Sequence, residues 1–270
     1  MEFQTRDIPV GETTAHMWDG GNGYPILMMH GAGPGTSAMA NFGKVREPLA
    51  ERYHVYATDM IGFGLSGRKK TAPFFDYGLW LDQMQAVLDE IPYGPVGLLG
   101  HSISATFAMR LAARNDRVTK VLLTCPMGQP LAPNPHREQL WTFPRTSEDL
   151  RRSLQILFYD HSIITDELLD SRMAVLGEGD YAEYFEKVFG GNKQALLEST
   201  ILSDDEIRAV TCPVTIVHGR TDLAFPIEET TYPMSEILTH ADVHALSRCS
   251  HGPAFERTET FLKIATDFFG

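Results

Sequence analysis

The chain predicts an α/β fold, a mostly parallel central sheet flanked by helices, with a helical cap inserted late in the sheet. Three observations carry this. Short apolar runs recur at Ile26–Met29, His54–Ala57, Val96–Leu99, Val121–Thr124, Val214–Val217 and Val243–Leu246. Several are unbroken by charge, as strands covered on both faces are. Amphipathic stretches separate them, so strand, helix and parallel strand follow in right-handed crossovers. The alternation then fails across residues 129–203, where no strand pattern is visible.

Taken in order, Thr13–Trp18 reads as an antiparallel edge strand ahead of Gly20-Gly21-Asn22-Gly23. Leu81, Met84, Leu88 and Ile91 recur at helical spacing, with Asp82, Gln85 and Asp89 on other faces. The strand-free region opens on Gln129-Pro130-Leu131-Ala132-Pro133-Asn134-Pro135, a linker by composition. Ser147 is placed to cap a helix carrying Leu150, Leu154, Leu157 and Phe158. Thr165 caps another, with Asp166 and Glu167 in its first turn. Tyr181, Tyr184, Phe185 and Val188 mark a third. From Thr258 to Phe268 a last helix puts Phe261, Leu262, Ala265 and Phe268 on one stripe. The expected division is therefore a core of residues 1–128 and 204–270 and a cap of residues 129–203. Such a cap covers the carboxyl ends of the strands, where ligands of open α/β sheets bind.

At 270 residues the chain suits one core with an inserted subdomain. A net charge of −12 points away from nucleic acid and anionic membranes. An anionic ligand would need a local cation. The segment Met1–Asp7 has no signal-peptide character and no run of about eighteen apolar residues exists, so a cytoplasmic protein is expected. Cys125, Cys212 and Cys249 follow no paired spacing and read as reduced thiols near strand ends. No Cys/His cluster or H-E-x-x-H appears, so neither metal nor cofactor is expected.

The chemistry starts at Gly100-His101-Ser102-Ile103-Ser104, a strand running into a sharp turn and a helix-like segment, with serine at the apex. It is a G-x-S-x-G pattern with serine at its last position. A serine hydroxyl needs a base, an orienting acid and oxyanion donors to act as a nucleophile. Asp222 follows Val214–Thr221 beyond a strand, and His251 lies in Ser247–Pro253 beyond the last strand. Serine, aspartate and histidine each end a strand, in that chain order. His30-Gly31-Ala32-Gly33-Pro34-Gly35 also follows a strand and fits an oxyanion loop, with Ala32 and Ile103 as donors. No Gly-Lys-Ser/Thr follows, so it is no phosphate cradle. Asp59 precedes the nucleophile and reads as a loop-stabilising residue. His30 and His101 read as supports around the site, and His54, His218 and His244 as residues of the sheet.

Together these residues resemble the α/β-hydrolase superfamily over essentially the whole chain. Within it they are similar to the meta-cleavage-product hydrolases, which break a carbon–carbon bond in vinylogous 1,5-diketones of the 2-hydroxy-6-oxohexa-2,4-dienoate type. The likeness rests on His30–Gly35 continuing to Ala40-Asn41-Phe42, on Asp59–Ser66, on Phe158–Leu169 ending at Arg172, and on Gly219-Arg220-Thr221-Asp222. It implies that Asn41 binds the dienoate part of the substrate and that Arg172 binds its anionic end, with Gly33 and His101 also lining the ligand. It also implies aromatic catabolism and a homodimer. The chain departs from the likeness at His101, for asparagine, at Ser104, for glycine, and at Gly252, for an aromatic residue. These departures predict a reshaped pocket. A carboxylesterase or lactonase, or a non-catalytic ligand receptor on the same scaffold, are the competing expectations.

Overall fold

The apolar runs form the inner part of an eight-stranded sheet. The structure, a computed structural model, describes residues 2–270. The strands are β1 (Gln4–Val10), β2 (Thr13–Gly21), β3 (Pro25–Met29), β4 (His54–Thr58), β5 (Val96–His101), β6 (Val118–Thr124), β7 (Val214–Gly219) and β8 (Ala241–Leu246). They lie in the order β1-β2-β4-β3-β5-β6-β7-β8. The contacts of β2 with β1 and β4 are antiparallel and all others are parallel. β2 matches the antiparallel strand expected at Thr13–Trp18, but it is not the edge: β1 is. The reason is physical. β1 buries only Ile8 and Val10, so it lacks the continuous apolar run that marks the inner strands.

The helices of the core are α1 (Ala38–Ala50), α2 (Tyr77–Glu90) and α3 (Ser104–Ala112). Trp80, Met84, Val87 and Leu88 form the buried stripe of α2, and Asp76 caps it by accepting from the Leu79 N–H at 3.0 Å. From β6 to β7 the chain runs through α4 (Pro135–Leu140), α5 (Ser147–Leu157), α6 (Asp166–Leu176), α7 (Tyr181–Phe189), α8 (Lys193–Glu198) and α9 (Asp204–Arg208), with no strand among the described residues. α10 (Thr231–Ile237), α11 (Pro253–Glu256) and α12 (Thr258–Phe269) complete the fold.

The cap of α5 is Thr146, not Ser147. Its hydroxyl accepts from Asp149 N–H while the Asp149 carboxylate accepts from Thr146 N–H. Adjacent Thr and Ser both suit a cap, and Asp at the third position of the helix selects the first of them. Thr165 does cap α6, accepting from Leu168 N–H.

Topology places the site. The chain passes from β3 outward to β4, then returns to lay β5 on the other side of β3. The connections therefore diverge from the carboxyl ends of β3 and β5, leaving a crevice there. Residues 30–36 leave β3 on one side of it and Ser102 leaves β5 on the other, with Met29 opposite Gly100 in register.

Candidate active site

Ser102 sits at φ +56°, one of three non-glycine residues in the left-handed region among the described residues. Such a conformation costs about 1–3 kcal/mol and persists only where its surroundings enforce it. They do so here. The Ser102 N–H donates to the Thr124 carbonyl at 2.9 Å, and its carbonyl accepts from Ala105 and Met127. Gly100 must be glycine, since a Cβ there would stand 2.7 Å from the Ser104 carbonyl oxygen. Ser104 has no such conflict. Its hydroxyl donates to the His30 carbonyl at 2.5 Å and ties the serine turn to the neighbouring loop. Ser104 does not line the cavity, whereas the other two departures, His101 and Gly252, do.

The His251 Nε2 lies 3.0 Å from Ser102 Oγ, and its Nδ1 lies 2.6 Å from Asp222 Oδ2. With Nδ1–H donating to the carboxylate, Nε2 is free to accept the serine proton. The Phe225 ring stacks on the imidazole at 4.9 Å. Asp222 Oδ1 accepts the N–H groups of Ala224 and Phe225 at 3.1 and 2.9 Å. His218 also faces the carboxylate, its Nε2 3.4 Å from Oδ2 and 3.0 Å from the Phe225 carbonyl. Because a carbonyl only accepts, that nitrogen carries the proton.

Burial alone would raise the Asp222 pKa. The imidazoles of His251 and His218 outweigh it and hold the carboxyl well below the usual carboxylate range. A depressed folded pKa gives stability that is present above the unfolded value, about 3.9, and lost as pH falls toward the folded one. Asp222→Asn should therefore show a shallower loss of unfolding free energy than the parent below about pH 4, measured by urea titration across that range.

The loop that follows β3 is clamped at each step. Gly31 N–H donates to Asn41 Oδ1 at 3.0 Å. His30 Nε2 accepts from Met60 N–H at 2.8 Å, so its Nδ1 carries the proton given to the Gly31 carbonyl at 2.6 Å. Burial lowers the His30 pKa, keeping it in that neutral tautomer. Among the described residues, the N–H groups of Ala32 and Ile103 have no protein acceptor. Asp59 supports the loops as expected, accepting from Ala38 and Leu65 N–H at 2.7 and 2.8 Å.

One largely apolar cavity joins these groups, and residues of both the core and the helices between β6 and β7 line it. Gly33, Asn41, His101 and Arg172 all border it. Asn41 also donates through Nδ2 to Thr36 Oγ1 at 3.1 Å, so it has loop-holding duties that sequence alone did not reveal. His101 Nδ1 lies 3.0 Å from Thr124 Oγ1, and its ring centroid is 4.8 Å from that of His251. Burial foremost, and then the neighbouring imidazole of His251, push the His101 pKa well down, so this second imidazole is neutral. Gly252 leaves room that Phe158 fills, its ring edge 3.2 Å from where a Cβ would stand. Arg172 is half-buried and has no carboxylate within 4.0 Å among the described residues. Burial lowers its pKa and Tyr181 opposes that, yet a guanidinium remains charged at any ordinary pH.

Sequence reasoning missed the rest of the wall. Trp141, Leu140 and Phe225 belong to it. Only their apolar character was visible, and that does not separate a pocket from a core. Cys125 carries donor atoms within 4.8 Å of those of Asp222 and His251. Burial holds its thiol well above the ordinary value, which disfavours a thiolate ligand, and the other two groups already bond each other.

A sequence profile of the alpha/beta hydrolase fold matches residues 24–258. The chain belongs to the α/β-hydrolase family. This α/β hydrolase is 28% identical to a 2-hydroxymuconate semialdehyde hydrolase of Pseudomonas sp. (strain CF600), over 97% of its own length and 93% of that protein. It is 30% identical to a 2-hydroxy-6-oxononadienedioate/2-hydroxy-6-oxononatrienedioate hydrolase of Cupriavidus pinatubonensis, covering 91% and 86%. Among solved structures it superimposes on a meta-cleavage product hydrolase from Pseudomonas fluorescens IP01 with a TM-score of 0.91, at 27% identity over 98% and 97% of the two chains. No helix among the described residues is long and apolar enough to cross a membrane.

Proposed function

We propose that this α/β hydrolase cleaves the carbon–carbon bond beside the ketone of a 2-hydroxy-6-oxohexa-2,4-dienoate. The observation that carries the reading is the pairing, in one mainly apolar cavity, of the Ser102–His251 contact with an arginine that lacks a counter-ion. The likeness to hydrolases of such dienoates supports it. α4–α8 act as the cap, supplying Arg172 and part of the apolar wall, including Leu140, Leu150, Leu154 and Leu157.

Arg172 binds the carboxylate of the substrate, and Asn41, Gly33 and His101 border its dienoate part. His251 assists conversion of the bound dienol to its keto form, which moves the hydroxyl proton to the carbon next to the ketone. Ser102 then gives its proton to His251 and attacks the ketone carbon. Asp222 stabilises the imidazolium, and the N–H groups of Ala32 and Ile103 stabilise the oxyanion, at about 3 kcal/mol per donor. The carbon–carbon bond breaks, the leaving dienolate is protonated, and water releases the second acid from Ser102. The summed reaction consumes one water and yields 2-hydroxypenta-2,4-dienoate and a carboxylic acid, with no cofactor.

Arg172→Gln tests the orientation. With an anionic dienoate, KM should rise about 10- to 100-fold, the worth of a charge-assisted hydrogen bond. With a neutral aryl ester it should change little. Equal effects on both substrates would remove the arginine from anion recognition.

A further inference from the structure

The helices inserted between β6 and β7 do more than cover the cavity: they hold the oxyanion loop at two points. At the end of α4, Trp141 Nε1–H donates to the Ala32 carbonyl at 3.2 Å. At the start of α7, Tyr181 accepts the Gly35 N–H at 3.2 Å, from a phenol that is 4% exposed. Burial pushes the Tyr181 pKa up to about 12, so the phenol stays neutral. Gly35 has φ +65° and packs under α6, where a Cβ would stand 3.5 Å from Leu176 and 3.8 Å from the Arg172 carbonyl. The loop between these ties is held locally by the Thr36 N–H to Gly33 carbonyl bond at 3.2 Å.

We propose that Tyr181 and Trp141 are positioning residues that hold the loop on the carboxyl side of Ala32, next to the Gly31–Ala32 peptide that presents the Ala32 N–H, so that the position of the inserted helices sets oxyanion stabilisation. Gly31 is clamped from the core by Asn41 and His30, while Ala32 and Gly35 are clamped from α4 and α7. The peptide that presents the Ala32 N–H is thus held through the Gly31 carbonyl by the core, and the chain that follows it by the inserted helices. Arg172 lies on α6, the helix that packs on Gly35, so a substrate anion held by Arg172 is tied to the same loop. This rests on the reading of Ala32 as an oxyanion donor and extends it to Trp141, which borders the cavity, and to a residue outside the cavity wall. Tyr181 itself does not border the cavity.

The test is Tyr181→Phe, which keeps the ring and removes the acceptor. Expected is a 10- to 100-fold fall in kcat, roughly the cost of misplacing one oxyanion donor, with KM within about twofold. The affinity of an arylboronic acid, which adds to serine and places a tetrahedral oxyanion in the hole, should fall by a similar factor. Trp141→Phe should weaken the same boronate and serves as the second variant where the first folds poorly. A rise in KM with kcat and boronate affinity unchanged, or no change in either variant, would overturn the proposal. So would failure of the parent enzyme to bind the boronate, since the hole itself would then be absent. If the parent turns over aryl esters but no dienoate, only the carbon–carbon reading fails, and the same kcat comparison is made on the ester.

Discussion

Replacing Ser102 with alanine lowers turnover by about 10⁴-fold or more, since the attacking oxygen is gone while the rest of the site stays in place. Alanine meets the same left-handed backbone at position 102 without a new clash, and the hydrogen bonds enforcing that turn are made by backbone atoms. Stability should therefore change little. The cavity, the Arg172 cation and the His251–Asp222 pair all remain, so a dienoate still binds. Its spectrum should shift on mixing and then persist, because the conversion to the keto form precedes attack. Stopped-flow absorbance on Ser102→Ala checks this. Retention of more than about a tenth of parental turnover would remove Ser102 from the chemistry.

The second large effect is expected far from any reacting atom. Gly219 ends β7, and a Cβ there would stand 2.0 Å from the Ser250 carbonyl oxygen and 2.4 Å from that of Cys249. Both are backbone atoms of the loop that delivers His251, so no side-chain rotation relieves the contact. The loop is also anchored on the far side, His251 N–H to the Leu157 carbonyl at 3.0 Å and the Ser250 hydroxyl to the Ile156 carbonyl at 3.0 Å. Gly219→Ala must therefore strain the loop or push His251 away from Asp222. Overpacking of this kind costs about 1–3 kcal/mol, and a displacement near 1 Å at the reacting groups costs about 10²-fold in rate. Denaturant unfolding and kcat measured together should show both losses. Gly252→Ala is the control, because the atom it would meet is the edge of the Phe158 ring, which can turn.

The contrast between Gly219 and Ser102 shows what sequence could and could not reveal. The serine, aspartate and histidine were readable because nucleophilic chemistry restricts residue type, and a parallel sheet confines such residues to the carboxyl ends of strands. The inner strands were readable because burial on both faces leaves continuous apolar runs. β1 was not, since an outer strand with one buried edge and a proline gives no such run. Ser104 read as a departure from a glycine pattern, while its bond to the His30 carbonyl depends on a loop far away in sequence. Tyr181 read as a member of an apolar helix face, and Trp141 followed the proline-rich linker with no signal of its own. Their partners, Gly35 and Ala32, lie more than a hundred residues earlier, at separations of 146 and 109, and no local pattern encodes such a pairing.

Carbon–carbon bond hydrolysis is decided by its products. The purified protein is incubated with a 2-hydroxy-6-oxohexa-2,4-dienoate while the yellow chromophore is followed and both products are quantified. Bleaching should be accompanied by equimolar 2-hydroxypenta-2,4-dienoate and carboxylic acid, and both should be abolished in Ser102→Ala. Fast hydrolysis of simple aryl esters alongside an unchanged chromophore across a panel of dienoates would contradict it.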